Sequence, residues 1–345
     1  MKSNVMSDTK YRMPAEWEPH AATLLAWPHR LSDWPGKFAT VPWVYGEIVR
    51  TLTRYEPVTL VVRDAAHKAA AKRVLEAVHA DLKNVTFITL PTDRGWVRDS
   101  GPIIVWDSKD KRVALDWHFN AWAKYDDWKQ DAKLPAAVAK QMKVPTDQPK
   151  WHGQRVVLEG GSIDVNGAGL MLTTEECLLS KIQERNPGCD RADYETIFKT
   201  YLGIDKVLWL NRGIAGDDTH GHIDDLARFV NKNTIVTVVD DDERDENYLP
   251  LRENLERLQT TKLNIVPLPM PTPMIFRGQR IPASYANFYI ANGVVIVPTF
   301  NDKNDRIAMG ILAEQFPGRD IIGIHCVDLV WGLGTLHCMT QQFPA

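Results

Sequence analysis

The sequence predicts an α/β protein assembled from a repeated ββαβ unit. Three observations carry this. Helical patterns alternate with short β-branched runs along the whole chain. Two-strand patterns joined by tight polar turns recur at nearly constant spacing. Two strand-like runs, one near each end, are left over once the repeats are assigned.

Taken in order, the first leftover run covers residues 22–27. Helical periodicity follows at 45–55, β-branched residues at 58–62, a second helix at 65–82 and a second strand at 85–90. The first hairpin pairs 101–106 with 112–117 across a polar turn at 107–111. A helix at 135–142 precedes the second hairpin, 162–165 with 170–172, whose turn is Asn166-Gly167. A helix at 193–202 and a strand at 207–210 lead to the third, 226–230 with 235–238. A helix at 245–260 and a strand at 263–266 lead to the fourth, 288–291 with 294–297, turning at Asn292-Gly293. A helix at 304–316 and a strand-like run at 336–342 close the chain. Successive hairpins begin about 61 to 64 residues apart. The two leftover runs complete a fifth unit if the chain ends meet, which closes a ring. In such a ring the loops before the hairpins face one axis and are the place to look for chemistry.

Composition narrows the function. The chain has 345 residues, enough for two domains or one large one. With 41 Lys and Arg against 44 Asp and Glu, the net charge of −3 gives no basis for binding a nucleic acid backbone. No apolar run approaches the roughly 20 residues that span a bilayer. The polar start lacks the apolar centre of a secretory signal, so a cytoplasmic location is expected, with no membrane partner. Cys177, Cys189, Cys326 and Cys338 form no C-x-x-C pair, which argues against structural zinc or a disulfide framework. No P-loop or dinucleotide fingerprint is present.

The loops before the hairpins read Trp96-Val97-Arg98-Asp99-Ser100-Gly101-Pro102, then Leu158-Glu159-Gly160-Gly161-Ser162, then Asp217-Asp218-Thr219-His220-Gly221-His222-Ile223-Asp224. The last loop contains Thr335-Leu336-His337-Cys338-Met339-Thr340-Gln341-Gln342. In this order the segments W-x-R-D-x-G-P, L-E-G-G-S, D-x-T-x-G-H-x-D and H-C-x-T-Q-Q resemble the agmatine deiminase branch of the guanidine-modifying superfamily. That branch is grouped with the Porphyromonas-type peptidylarginine deiminases. Residues 13–20 and 282–298 share the likeness, which covers the chain from about residue 12 onward. The resemblance implies the pentein fold, a five-bladed pseudo-symmetric α/β propeller. It implies one catalytic domain over residues 1–345, of which 1–11 are expected to be a flexible segment. The implied reaction converts agmatine to N-carbamoylputrescine and ammonia, in polyamine synthesis, without metal or organic cofactor.

The residue types suit that chemistry. A guanidinium is planar and cationic, and carboxylates match its N–H donors in bidentate geometry. Its carbon is a poor electrophile, so a thiolate is a better nucleophile than a hydroxyl. Cys338 is the expected nucleophile, His222 the acid–base group, and Asp99 and Asp224 the guanidinium clamps. Glu159 is expected to orient His222, and Trp96 and Asp218 to contact the substrate. With residues 222–224 extended, His222 and Asp224 point to one face. His337, adjacent to Cys338, is expected on the opposite face, so His222 and not His337 is the expected base. Cys177, Cys189 and Cys326 read as buried small hydrophobes. The glycine-rich run of the family, G-G-G-(N/A)-I-H-C, is here G-L-G-T-L-H-C at 332–338. Arginine or peptidylarginine therefore stay open as substrates. His220-Gly221-His222 with Asp224 also admits a metal-dependent amidohydrolase, and a non-catalytic scaffold is the third reading. Homo-oligomerisation is left open.

Overall fold

The computed structural model describes residues 9–345. Its helices and strands follow the expected alternation, in five sheets of three or four strands and two short two-stranded ribbons. Four sheets repeat one plan. An antiparallel hairpin is followed by a helix, and a further strand then pairs parallel to the second strand of the hairpin.

In the first, Ile103–Asp107 and Arg112–Leu115 form the hairpin, and Thr146–Asp147 joins after the helix Leu134–Met142. The second uses Asp164–Val165, Leu170–Thr174 and Lys206–Leu210, with the helix Arg191–Leu202 between the last two. Asp190 closes a reciprocal capping box with Asp193, which sets where that helix starts. The third uses Ala227–Asn231, Thr234–Val239 and Asn264–Pro269 around the helix Tyr248–Gln259. The fourth uses Tyr289–Ala291, Val294–Thr299 and Asp320–His325 around the helix Asp305–Gln315.

The chain ends make the fifth sheet. Gln341–Pro344 pairs antiparallel with His20–Ala26, placing Gln342 opposite Thr23 and Gln341 opposite Leu24. Val58–Val62 and Val85–Thr89 extend it in parallel, after the helices Val41–Leu52 and Ala65–Ala77. Phe343 and Leu24 are fully buried at this junction.

Several boundaries differ from the expectations. The helix at 45–55 starts earlier, at Val41, because Pro42 suits a first turn. The helix at 65–82 stops at Ala77, since the chain turns through His79 in the left-handed region. The strand-like run at 336–342 divides: Leu336–Met339 is a short helical turn and only the residues beyond it are extended. Residues 222–224 are not a strand either, because Ile223–Asp225 is one turn of 3-10 helix entered from an extended His222. Of the segment expected to be flexible, residues 1–8 lie outside the described residues, while Tyr11–Arg12 pairs with the first hairpin. Among the described residues, no helix is long and apolar enough to cross a membrane.

Candidate active site

The loops before the hairpins converge on one narrow cleft of about 90 Å³, lined by Asp33, Trp96, Asp99, Trp122, Asp218 and Cys338 among others. Cys338 sits in the helical turn Leu336–Met339, next to the first strand of the terminal sheet. Its Sγ receives the Asn287 amide at 3.1 Å and lies 3.6 Å from Asp224 Oδ2. Asp99 comes from the turn Val97–Ser100. Its Oδ1 accepts the Gly161 N–H at 2.9 Å and its Oδ2 accepts Trp122 Nε1 at 2.9 Å. His222 Nδ1 lies 3.8 Å from Asp99 Oδ1 and 4.0 Å from Asp224 Oδ1.

Two backbone features permit this crowding. A Cβ on Gly161 would fall 2.6 Å from His222 Nδ1 and 2.8 Å from Asp99 Oδ1, so only glycine lets that loop pass between them. Trp122 reaches Asp99 from a turn in which Ala121, Trp122 and Ala123 all have φ between 51° and 60°. Left-handed backbone costs a non-glycine residue roughly 1–2 kcal/mol, so the neighbouring contacts must hold this turn in place.

The electrostatics oppose one another. Burial, with Asp224 and Glu159 nearby, pushes Asp99 up to about 6. Burial works against a charged His222, yet Asp99, Cys177 and Asp224 outweigh it and raise this imidazole well above its ordinary value. Burial and the carboxylates Asp224, Asp225 and Asp99 raise the Cys338 thiol well above its usual range, against the hydrogen bond from Asn287. Burial also works against an ionised Asp224, but the His337 hydrogen bond and charge, with His222, keep its carboxyl low. A cation arriving beside Asp99 and Cys338 favours their ionised forms.

Cys338, His222, Asp99 and Asp224 are thus brought together. Glu159 lies close by, fully buried, but bonds Arg185 Nε at 3.0 Å through Oε1, leaving Oε2 without a partner. Glu159, Cys177 and His222 have ligand-type atoms within 4.8 Å of one another, and no hydrogen bond joins Glu159 to His222. Cys177 is buried in a hydrophobic cluster as expected, and it also lies beside His222. Trp96 lines the cleft and donates to Asp33 at 3.2 Å. Asp218 lies on the same cleft, holding Lys124 and accepting Tyr125 Oη at 2.6 Å. Its neighbour Asp217 holds the loop, accepting the Gly221 and His222 N–H groups at 2.7 and 3.1 Å.

Two expectations are corrected. His337 is not turned away from the site, because residue 338 lies in a helical turn and alternation does not apply: Nδ1 is 2.7 Å from Asp224 Oδ2. The H-x-H pair does not converge, since His220 Nε2 bonds Ser180 at 3.1 Å while His222 turns toward Asp99. Sequence reasoning passed over Asn287, although it stands immediately before the fourth hairpin, where the other repeats carry Asp99, Gly161 and Asp224. It also missed Glu16, which binds Arg228, Arg98 and His337 behind the pocket. Leu333, at a glycine position of the family run, keeps a left-handed φ of 69°.

A five-sheet α/β chain whose cleft gathers a thiol, an imidazole and two carboxylates defines a guanidine-modifying class of protein. Residues 12–344 match the model of the Porphyromonas-type peptidyl-arginine deiminases, and the chain belongs to that family. It is 32% identical to the agmatine deiminase of Pseudomonas aeruginosa strain LESB58, over 97% of this chain and 96% of that one. A substrate-bound C. jejuni agmatine deiminase superposes with a TM-score of 0.88 at 33% identity, over 97% and 96% of the two chains. The Enterococcus faecalis agmatine deiminase does so with 0.88 at 30%, over the same shares. An amidinotransferase from Microseira wollei, 11% identical with a TM-score of 0.50 over 96% of each chain, shares the fold alone.

Proposed function

We propose that this chain hydrolyses the guanidinium of agmatine to N-carbamoylputrescine and ammonia. The observation that carries the reading is the convergence of Cys338, His222, Asp99 and Asp224 from three separate loops, with Cys338 and Asp99 lining the cleft. Asp99 and Asp224 clamp the guanidinium, and Cys338 attacks its carbon as the thiolate. His222 protonates the departing nitrogen, ammonia leaves, and the carbon stays bonded to sulfur as a thiouronium. Water then adds to that carbon, His222 accepts its proton, and the carbon–sulfur bond breaks to give the ureido product. Glu159 supports His222 through charge across a short gap. Trp96 packs against the substrate chain and Asp218 meets its outer end. No metal enters this scheme. On this reading the five sheets are blades of a single catalytic propeller domain around the cleft, and the four free cysteines suit the reducing cytoplasm.

A ureido-specific colour assay on agmatine, arginine and an arginyl peptide tests the substrate. Turnover of agmatine with little on the other two is expected. Preference for arginine or the peptide would move the assignment within the family, and inertness toward all three in folded protein would end it.

A further inference from the structure

Behind the pocket, the His337 ring is held between two acids. Nδ1 lies 2.7 Å from Asp224 Oδ2 and Nε2 lies 2.8 Å from Glu16 Oε2. The residue is 1% exposed. Its backbone is tied as well: the N–H donates to Asn287 Oδ1 at 3.0 Å and the carbonyl accepts Arg98 Nε at 3.2 Å.

Each ring nitrogen thus faces one carboxylate, so the ring cannot turn without losing a contact to one acid or the other. Glu16 is itself anchored, with Arg228 at 3.0 Å and Arg98 at 3.3 Å. Burial opposes the charge on Glu16, but Arg228, His337 and Arg98 hold it well below the usual carboxylate range. Arg228 also binds Asp164.

We infer that His337 positions Asp224 for the guanidinium and is not itself one of the reacting groups. It occupies Oδ2 of Asp224 and leaves Oδ1, which has no partner, for the incoming guanidinium. The residue adjacent to the nucleophile thereby decides which carboxylate oxygen meets the substrate, and Glu16 holds that ring in place from behind. The inference rests on the deiminase reading.

The test compares steady-state kinetics of the full chain and its variants on agmatine. His337→Gln is expected to lose at least tenfold in kcat/KM, chiefly through KM, and His337→Asn to lose less, because its amide keeps a donor near the Nδ1 position. Equal kcat/KM in wild type and a folded His337→Gln, or a loss confined to kcat, would contradict the positioning role. If His337→Gln does not fold, Glu16→Gln, which removes the support behind the ring, is expected to raise KM in the same direction, and an unchanged KM there would contradict the role as well. Failure of the deiminase reading would leave the wild type itself without turnover; failure of this inference would leave wild-type turnover in place and the variants unaltered.

Discussion

Asp99 must be ionised to hold a guanidinium, yet its surroundings push it up to about 6, first by burial and then by Asp224 and Glu159. Ligand binding should therefore strengthen as pH rises through about 6, seen in kcat/KM and in the Ki of an inert alkylguanidine. A Ki constant from pH 5 to 8 would remove Asp99 from the clamp. The stability sign follows from the same shift. A folded-state pKa above the unfolded 3.8 means that stability is lost as pH rises toward and through about 6. An alkylguanidine should accordingly raise Tm more at pH 8 than at pH 5, measured by calorimetry. Asp224→Asn leaves one guanidinium contact without its charge in a buried pocket, a loss of about 2–5 kcal/mol. We expect about a 30-fold or greater fall in kcat/KM, and unchanged kinetics would exclude Asp224 from the site.

At the scale of elements, short turns carry the chemistry and long elements carry the frame. Gly161 threads between His222 and Asp99, where a Cβ would come within 2.6 Å of the imidazole. Gly161→Ala should abolish turnover while leaving the secondary structure content by circular dichroism intact; an active Gly161→Ala enzyme would mean that the loop can relax away. The hairpins were legible in the sequence because their strands alternate and two of them turn on Asn-Gly, a local signal. The long helices were legible by periodicity, with edges misplaced where Pro42 or His79 decided the boundary. Val97–Ser100, Ile223–Asp225 and Leu336–Met339 span one turn each, too short for any period to show. That is why strand alternation puts His337 on the wrong face. Cys338, His222, Asp99 and Asp224 are singled out in the sequence by their place in the loops before the repeats, and Asn287 stands in the same kind of place. Glu16 could not, since its partners Arg98, Arg228 and His337 lie far along the chain and no local pattern links them.

At the scale of the molecule, the ends of the chain meet where the nucleophile sits. Gln341–Pro344 closes the terminal sheet against His20–Ala26, and Phe343 is fully buried there. Removing residues 341–345 should cost more than a surface trim, because burial of one phenylalanine alone is worth about 3–5 kcal/mol and strand pairing is lost besides. A Tm lowered by about 10 °C or more, or insoluble protein, is expected; a truncated chain with wild-type Tm and activity would contradict the closure. The same geometry places the Cys338 sulfur against loops from four other parts of the chain, and the account depends on that sulfur attacking the substrate. Rapid quenching of agmatine turnover, followed by peptide mass spectrometry, tests this most directly. A thiouronium adduct on the Cys338 peptide, absent from Cys338→Ala, together with loss of turnover in that folded variant, is predicted. Ureido product formed by Cys338→Ala, or an adduct confined to another residue, would contradict it.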